Sequence, residues 1–310
     1  MKVINVETLQ NLEEKFAVAI GFFDGIHPGH QEVIHHAARY AKENQIKSLV
    51  MTFDKSPKVV LGSAENEGYL TPTDEKLRLL EAMGIDYVLV LNCDPTFLNL
   101  SAVSFIQAYL LKIGVCYVSV GFDFKFGQGG AGDPELLKSY DSFEVKVCEP
   151  VMRAGVKVSS RSIKAYLKQG ELETVNQMLG RPFSVSGEVV GGKRIGRTIG
   201  FPTANLKLNP DYLFSLRGVY ATISHVSDER FVSMTNIGFN PTVNPQSSLS
   251  IETCIFGLDE EIYGKQLRLE FLGKIRDEVK FANKDTLIAQ LEKDRGIAKS
   301  IAIQALKTCV

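Results

Sequence analysis

The chain changes character once, near Arg181. Before that point, apolar runs alternate with stretches whose apolar residues recur at helical spacing. After it, short β-rich runs follow one another directly. The first pattern is that of a parallel, doubly wound sheet with right-handed crossovers. The second is that of a small antiparallel barrel. In the first part the expected strands cover 16–20, 48–53, 86–91, 115–120 and 143–148. Helical patterns cover 30–44, Pro72 to Gly84, 101–111 and a short stretch from Pro134. In the second part strands are expected over 184–190, 218–225, 231–238, 249–256 and 266–275, followed by a helical tail from Lys284. With 310 residues the chain can bury two ordinary cores. The expected domains are 1–155 and 184–310, joined by a connector helix segment over 156–183.

Composition excludes several function classes. The apolar fraction of 45% and the charged fraction of 23% suit a soluble globular protein. Lys plus Arg number 35 against 36 Asp plus Glu, so no surplus of cations points to nucleic acid or to a membrane surface. The five cysteines are widely spaced and form no C-x-x-C, as expected of reduced thiols in a cytoplasmic protein. Residues 1–10 have no apolar core of the kind a signal peptide needs, and no apolar stretch is long enough to span a bilayer. These features lead to the expectation of a cytoplasmic protein, a monomer or weak oligomer, with no nucleic-acid or membrane partner.

Chemistry concentrates first at Gly21-Phe22-Phe23-Asp24-Gly25-Ile26-His27-Pro28-Gly29-His30, between the first long apolar run and a helical pattern in which Val33, Ile34, Ala37, Ala38 and Ala41 recur. Glycines at a strand-to-helix turn let backbone N–H groups approach a phosphate, and the helix N-terminus adds a favourable dipole. Two imidazoles three residues apart can donate to phosphate oxygens as charge moves. The competing readings are a zinc pair, a structural turn and a dehydrogenase-type dinucleotide site. The first lacks a Cys or acidic partner at ligand spacing, and the last lacks G-x-G-x-x-G.

Two further segments of the first part carry polar handles. Gly121-Phe122-Asp123-Phe124-Lys125-Phe126-Gly127 mixes glycines, aromatics and a cation, and offers a ring-stacking surface beside polar groups. Gly129, Gly130, Gly132 and Asp133 extend this loop, which is expected to be mobile. Val158-Ser159-Ser160-Arg161-Ser162-Ile163-Lys164 opens a helix for which Ser159 and Ser160 are candidate caps. Arg161 and Lys164 share a helical face and could clamp phosphate. An ordinary packed loop and an ordinary capped helix are the alternatives.

In the second part the densest stretch runs from Gly191-Gly192-Lys193-Arg194-Ile195-Gly196-Arg197-Thr198 to Ile199-Gly200-Phe201-Pro202-Thr203-Ala204-Asn205-Leu206. It combines phosphate-loop flexibility with cations and two oxygen donors. Thr203 and Asn205 are suitable Mg²⁺ partners through a hydroxyl and a carbonyl, with phosphates and water completing the shell. Glu252 lies on a strand and alternates with Ile251, so it falls on the opposite face. A positioned carboxylate is what an alcohol nucleophile needs at neutral pH.

These motifs carry a resemblance. The Gly21–His30 stretch resembles the G-x-F-D-G-x-H-x-G-H signature of the adenylylating half of bacterial riboflavin kinase/FAD synthetases. The 196–205 stretch closely resembles the G-R-x-x-G-[FY]-P-T-A-N signature of their kinase half. Gly218-Val219-Tyr220-Ala221, Asn236-Ile237-Gly238 with Pro241-Thr242, Tyr263-Gly264 and Arg276-Asp277-Glu278 recur in family order, so the resemblance covers almost the whole chain. It implies a Rossmann-like α/β nucleotidylyltransferase domain of the H-x-G-H type. A small antiparallel β-barrel riboflavin-kinase domain with a C-terminal helix would follow.

It further implies two reactions: MgATP-dependent phosphorylation of riboflavin to FMN, and joining of FMN to AMP from a second ATP to give FAD. Glu252, His27 and His30 would be catalytic. ATP would be held by Gly21, Phe22, Asp24, Gly25, Gly29, Ser159, Ser160, Arg161 and Lys164 in one domain. Gly192, Gly196, Arg197, Gly200 and Pro202 would hold it in the other. Flavin would meet Asp123, Phe124, Phe126, Gly127 and Arg276, and Mg²⁺ would meet Thr203 and Asn205. Asp24 would be a loop-shaping or metal-related carboxylate.

The sequence departs from the family pattern at Ser56, where a histidine is usual, and at Arg161, Lys164 and Cys254. Lys164 substitutes a point charge for a bidentate fork. Cys254 is read as a neutral packing change. Because three departures fall in the adenylylating half, a protein efficient only as a kinase is one alternative, and a non-catalytic flavin sensor is another. A class I aminoacyl-tRNA synthetase would share H-x-G-H, but this chain lacks a K-M-S-K-S loop and a basic surplus.

Overall fold

The computed structural model describes residues 1–6, 8, 13–63, 65–192, 196, 199–239 and 249–308. Lys193, Arg194, Ile195, Arg197, Thr198, Pro241, Thr242 and Cys309 lie outside the described residues. The chain divides into two compact units, Met1–Ser160 and Arg161–Val310.

The first unit is built on a six-stranded parallel sheet. Its strands are β1 (Lys2–Ile4), β2 (Phe16–Ile20), β3 (Lys47–Phe53), β4 (Tyr87–Leu91), β5 (Val115–Gly121) and β6 (Glu144–Cys148), in the order β1-β4-β3-β2-β5-β6. The five apolar runs therefore form the strands expected of them. The edge strand β1 was not expected, since three residues show no usable period. β2 is buried at every residue, as a strand covered on both faces must be. Phe16, Val18 and Ile20 join one core with Leu49, Met51 and Leu89. Ala17 and Ala19 face the other way, where helix α1 (Pro28–Glu43) packs Val33, Ile34, Ala37 and Ala41. The small alanines let that helix lie close to the sheet. Helix α2 (Thr73–Ala82) follows β3, and a helical stretch of Ala102–Ile106 continuing through a π-turn at Gln107–Leu111 precedes β5.

Because β2 leads on to β3 and β4 on one side while β5 and β6 extend the sheet on the other, the winding reverses between β2 and β5. Ligands of such sheets bind in the crevice at the carboxyl ends of the strands flanking this point. The His27/His30 turn leaves β2 there, and the Gly121–Gly127 loop leaves β5 beside it.

The second unit is a closed barrel of β9 (Phe183–Val190), β10 (Ala204–Leu208), β11 (Gly218–Val226), β12 (Glu229–Phe239), β13 (Leu249–Ile255) and β14 (Gln266–Arg276), in the order β10-β13-β12-β11-β14-β9. A small hairpin, β7 (Met152–Arg153) with β8 (Val156–Lys157), precedes it in sequence. Two helices, Ser160–Lys168 and Leu172–Leu179, come next, and a long C-terminal helix, Lys284–Thr308, follows the barrel. Five barrel strands match the expected runs. The sixth, β10, starts at Ala204 and incorporates Asn205, which the sequence presented only as part of a loop.

The barrel interior contains a polar seam. Thr222 Oγ1 bonds Ser233 Oγ at 2.7 Å and Thr235 Oγ1 at 2.8 Å, and Thr235 Oγ1 bonds Thr253 Oγ1 at 3.0 Å. All four residues are fully buried. The hydroxyls bond one another in a chain that crosses three strands, and so help to tie their register. Thr235→Val removes the central hydroxyl and leaves two neighbours short of a partner. The expected cost is about 1–3 kcal/mol in urea unfolding followed on the second unit; a variant as stable as the parent would show that the seam contributes no net stability.

Candidate functional site

The turn after β2 is shaped by its own backbone. Phe23 (φ 54°), Gly25 (φ 93°) and Ile26 (φ 37°) all occupy the left-handed region, which costs an ordinary residue about 1–2 kcal/mol. Such strain persists only where the surroundings over-determine it, and here they do. Asp24, buried, accepts on Oδ1 from Leu70 N at 2.8 Å and Thr71 N at 3.1 Å. Thr71 Oγ1 accepts from Gly25 N at 2.7 Å. Asp24 therefore shapes the loop. The left-handed Phe23 folds its ring back so that a Cβ at Gly21 would lie 2.8 Å from it, which explains the glycine there.

His27 is the N-cap of α1, its Nδ1 accepting from His30 N at 3.3 Å, with Pro28 in the first turn. The helix thus begins two residues earlier than its apolar periodicity suggests. The His27 and His30 rings stack at 3.6 Å, and Phe23 meets His30 edge-on at 5.4 Å. The two imidazoles are brought together at the N-terminus of a sixteen-residue helix, where anionic charge is favoured. Gly29 passes close beside, since a Cβ there would touch the His27 ring at 3.3 Å. Among the described residues no group of three or more His, Cys, Asp or Glu side chains is placed to hold a metal ion.

Ser160 differs from expectation. Its hydroxyl donates to Asp24 O at 2.7 Å, so it ties the end of the first unit to the turn instead of capping its own helix. Ser159 immediately precedes that helix, and Arg161 and Lys164 lie on it within the second unit. Ser56 precedes the one-turn helix Pro57–Val60 without capping it through its side chain.

In the loop after β5, Phe126 is buried in the core against Phe105, at a ring distance of 5.3 Å. The ring-stacking surface expected there is therefore offered by the half-buried Phe124, stacked on Phe126 at 5.5 Å, and by the exposed Phe122. Gly127 (φ 71°) passes so close to the helix N-terminus at Ala102 that a Cβ would lie 2.6 Å from Ala102 N. Phe126 and Gly132 pair as a bridge and Asp133 caps the next helix, so the segment is anchored at both ends. Asp123 is ion-paired with Lys157 at 3.1 Å.

Register assembles the barrel site. Glu252 on β13 stands opposite Asn205 on β10 and opposite Asn236 on β12. Ile251, Thr253 and Ile255 face the interior, so Glu252 is on the outer face, where its Oε1 accepts from Ser250 Oγ at 3.2 Å. Cys254 shares that face but packs with Phe201, Ala221, Met234 and Ala298, and burial pushes its thiol up to about 11. It is a neutral packing residue. A Cβ at Gly192 would meet Asn205 Nδ2 at 2.1 Å, and one at Gly196 would meet Phe201 O at 2.2 Å and Thr203 Oγ1 at 3.4 Å. The glycines therefore keep the space beside Thr203 and Asn205 clear. Gly200 (φ 80°) and the exposed Pro202 complete the described part of this loop.

Arg276 ends β14 with its Nε on Asp294 Oδ2 at 2.9 Å and Nη1 on Asp277 O at 2.9 Å. Asp294 is fully buried and also accepts from Gln290 at 2.8 Å. The guanidinium is thus held in one direction by the C-terminal helix.

Two residues outside the expected site set also reach the first site. Thr52 donates to Phe22 O at 3.0 Å, and Lys76, from the first turn of α2, donates to the same oxygen at 2.8 Å. Nothing local marks Lys76 for burial, since it follows Thr73, Asp74 and Glu75 in sequence.

The fold and the two sites define a two-domain nucleotide-using protein: an α/β anion site at a switch point, and a barrel pairing a carboxylate with oxygen donors. Residues 9–162 match the family model for FAD synthetase, and residues 179–302 match the one for riboflavin kinase. The bifunctional riboflavin kinase/FMN adenylyltransferase of Listeria monocytogenes is 40% identical, with 89% of each chain covered. Its counterpart in Bacillus subtilis is 35% identical over 95% of this chain and 96% of its own. A crystal structure from Streptococcus pneumoniae described as a macrolide-efflux protein has a TM-score of 0.86 at 30% identity, covering 96% of this chain and 99% of that one. Among the described residues no helix is long and apolar enough to cross a membrane. The chain belongs to the bifunctional riboflavin kinase/FMN adenylyltransferase family.

Gly192→Ala should displace Asn205 by placing a methyl where its amide lies. Misplacement of about 1 Å can cost about 10²-fold in rate. The expected result is such a loss in phosphorylation of riboflavin by ATP, with conversion of FMN to FAD unchanged in the same preparation. Unaltered phosphorylation would show that Asn205 is not needed where it stands.

Proposed function

We propose that this chain phosphorylates riboflavin to FMN in the barrel and adenylylates FMN to FAD in the α/β unit, consuming one ATP in each reaction. The observation that carries the reading is the pairing of Glu252 with Asn205 across adjacent strands, next to a glycine, Gly192, that keeps the space at Asn205 clear. A primary alcohol is a weak nucleophile at neutral pH. Glu252 takes the proton of the ribityl 5′-hydroxyl as that oxygen bonds to the γ-phosphorus of ATP, and ADP departs. Thr203 and Asn205 present hard, uncharged oxygens, the donor set that suits Mg²⁺ alongside phosphate oxygens. When bound, Mg²⁺ neutralises phosphate charge. Gly192, Gly196 and Gly200 let the backbone come close to the phosphates, and Arg197 adds a cation to the same loop.

The adenylylation site needs no general base. A phosphate monoester has a second pKa of about 6, so FMN arrives largely as its own nucleophile. Its phosphate oxygen bonds to the α-phosphorus of ATP and pyrophosphate leaves. His27 and His30, stacked at a helix N-terminus, stabilise the triphosphate as charge moves to the leaving group. Gly21, Gly25 and Gly29 admit the phosphates, with Phe22 and Asp24 shaping the turn. Asp123, Phe124 and Gly127 form the flavin side of the crevice, with Phe124 supplying the ring face and Phe126 packed behind it in the core, and Ser159 and Ser160 contribute to ATP. In the barrel, Arg276 orients the flavin and Pro202 the nucleotide loop. The reading includes a cytoplasmic location.

Glu252→Gln keeps the shape and removes the base. FMN formation should fall by about 10²- to 10⁴-fold, while FAD formation from supplied FMN is unchanged. His30→Asn should do the reverse. Chromatography of flavins after incubation with ATP and Mg²⁺ reads both reactions. Loss of both activities in either variant, or of neither, would sink the division of labour.

A further inference from the structure

Lys76 is a buried cation in the first unit that neither reaction uses. It is 2% exposed, and its ammonium donates to Phe22 O at 2.8 Å, Thr52 Oγ1 at 3.2 Å and Phe53 O at 3.4 Å. It also lies 4.4 Å from the centre of the Phe22 ring. These partners come from the ends of two adjacent strands: Phe22 two residues after β2, Thr52 and Phe53 at the end of β3. A lysine in the first turn of a helix is opposed by the helix dipole, and burying its charge is costly unless its donors are met. Here three acceptors answer three N–H groups.

The position of this contact relates it to the histidines. Phe22 O is the last carbonyl before the left-handed Phe23, and the Phe23 ring packs edge-on against His30. We propose that Lys76 is a positioning residue for adenylylation: its protonated amine clamps the ends of β2 and β3 and so holds the Phe22–His30 turn in its working conformation. The amine touches no reacting atom. Once deprotonated, it has two donors and a lone pair facing three oxygens that can only accept or already donate elsewhere, so the clamp opens.

The proton is poised to leave. Burial pushes the Lys76 ammonium down to about 8. The charged groups facing it, Asp24 from the turn after β2 and Asp54 after β3, pull in the opposite direction and keep it protonated at neutral pH. Glu75, beside it on α2, is engaged by Arg78 through two hydrogen bonds of 2.9 and 2.7 Å.

The sign separates positioning from stability. Unfolded, the lysine holds its proton up to its ordinary value of 10.5, whereas folded it releases it at about 8. Between those values the unfolded chain binds more protons, so the contribution of Lys76 to stability rises with pH. FAD formation should fall over the same interval. A merely structural lysine would move both in one direction.

The test uses the full chain, with riboflavin phosphorylation as the internal control. In the wild-type protein, FAD formation from FMN, ATP and Mg²⁺ should show an alkaline limb near pH 8 that riboflavin phosphorylation lacks. Lys76→Met should lower FAD formation by about 10- to 100-fold and flatten the limb. Lys76→Arg, which keeps its charge to about pH 12 or beyond, should restore part of the rate and shift the limb upward. A wild-type rate that is level through this range overturns the proposal without any variant. So does Lys76→Met with wild-type FAD formation, or an unmoved limb in Lys76→Arg. The inference rests on adenylylation occurring at the His27/His30 turn. If His30→Asn makes FAD normally, that placement fails; if it does not while Lys76→Met does, only the role of Lys76 fails.

Discussion

A parallel sheet has to send the chain from the end of each strand back across one of its faces, and where the crossovers change direction two neighbouring strands release their loops to opposite sides. In this protein that reversal lies between β2 and β5, and the first unit's chemistry follows from it. The turn after β2 can place two histidines at the head of a helix because no crossover covers that end of the sheet. The loop after β5 can present aromatic rings beside them for the same reason. Strain at Phe23 and Ile26 is tolerated because Leu70 and Thr71, Thr52, and Lys76 hold Phe22, Asp24 and Gly25 from three separate segments.

The barrel solves a different problem. Phosphorylating an alcohol requires a base, a cation and a phosphate to meet, and a closed antiparallel sheet brings residues distant in sequence side by side by register alone. Asn205 and Glu252 are direct cross-strand partners although 47 positions separate them. The hydroxyl seam through Thr222, Thr235 and Thr253 runs inside β11, β12 and β13, and so shares β13 with the outer pair. A one-residue slip would turn Glu252 inward and break the seam at once. Interior polarity and the outer site therefore specify the same alignment.

Much of this was legible in the sequence. The apolar runs predict five of the six parallel strands and five of the six barrel strands, since burial on both faces and strict alternation each leave a pattern that needs no partner to be read. The glycine-flanked histidines, the Thr203/Asn205 loop and Glu252 were likewise visible as chemistry-bearing residues. Local signals failed where a residue's role depends on what folds onto it. Phe126 looked like a ligand ring and is core. Ser160 looked like a cap and ties down Asp24.

By itself, then, the sequence determined the class of each unit, the location of its turns and the kind of groups available, because these depend on periodicity and on the conformational freedom of glycine and proline. Tertiary structure alone decided which groups meet. The pairing of Asn205 with Glu252 is a matter of strand register, and the direction of Arg276 is set by Asp294, 18 positions further on in the chain's last helix. The burial of Lys76 under two strand ends is a matter of packing. Each is a long-range contact, with an energy that depends on neighbours supplied by other elements, and no local pattern encodes it.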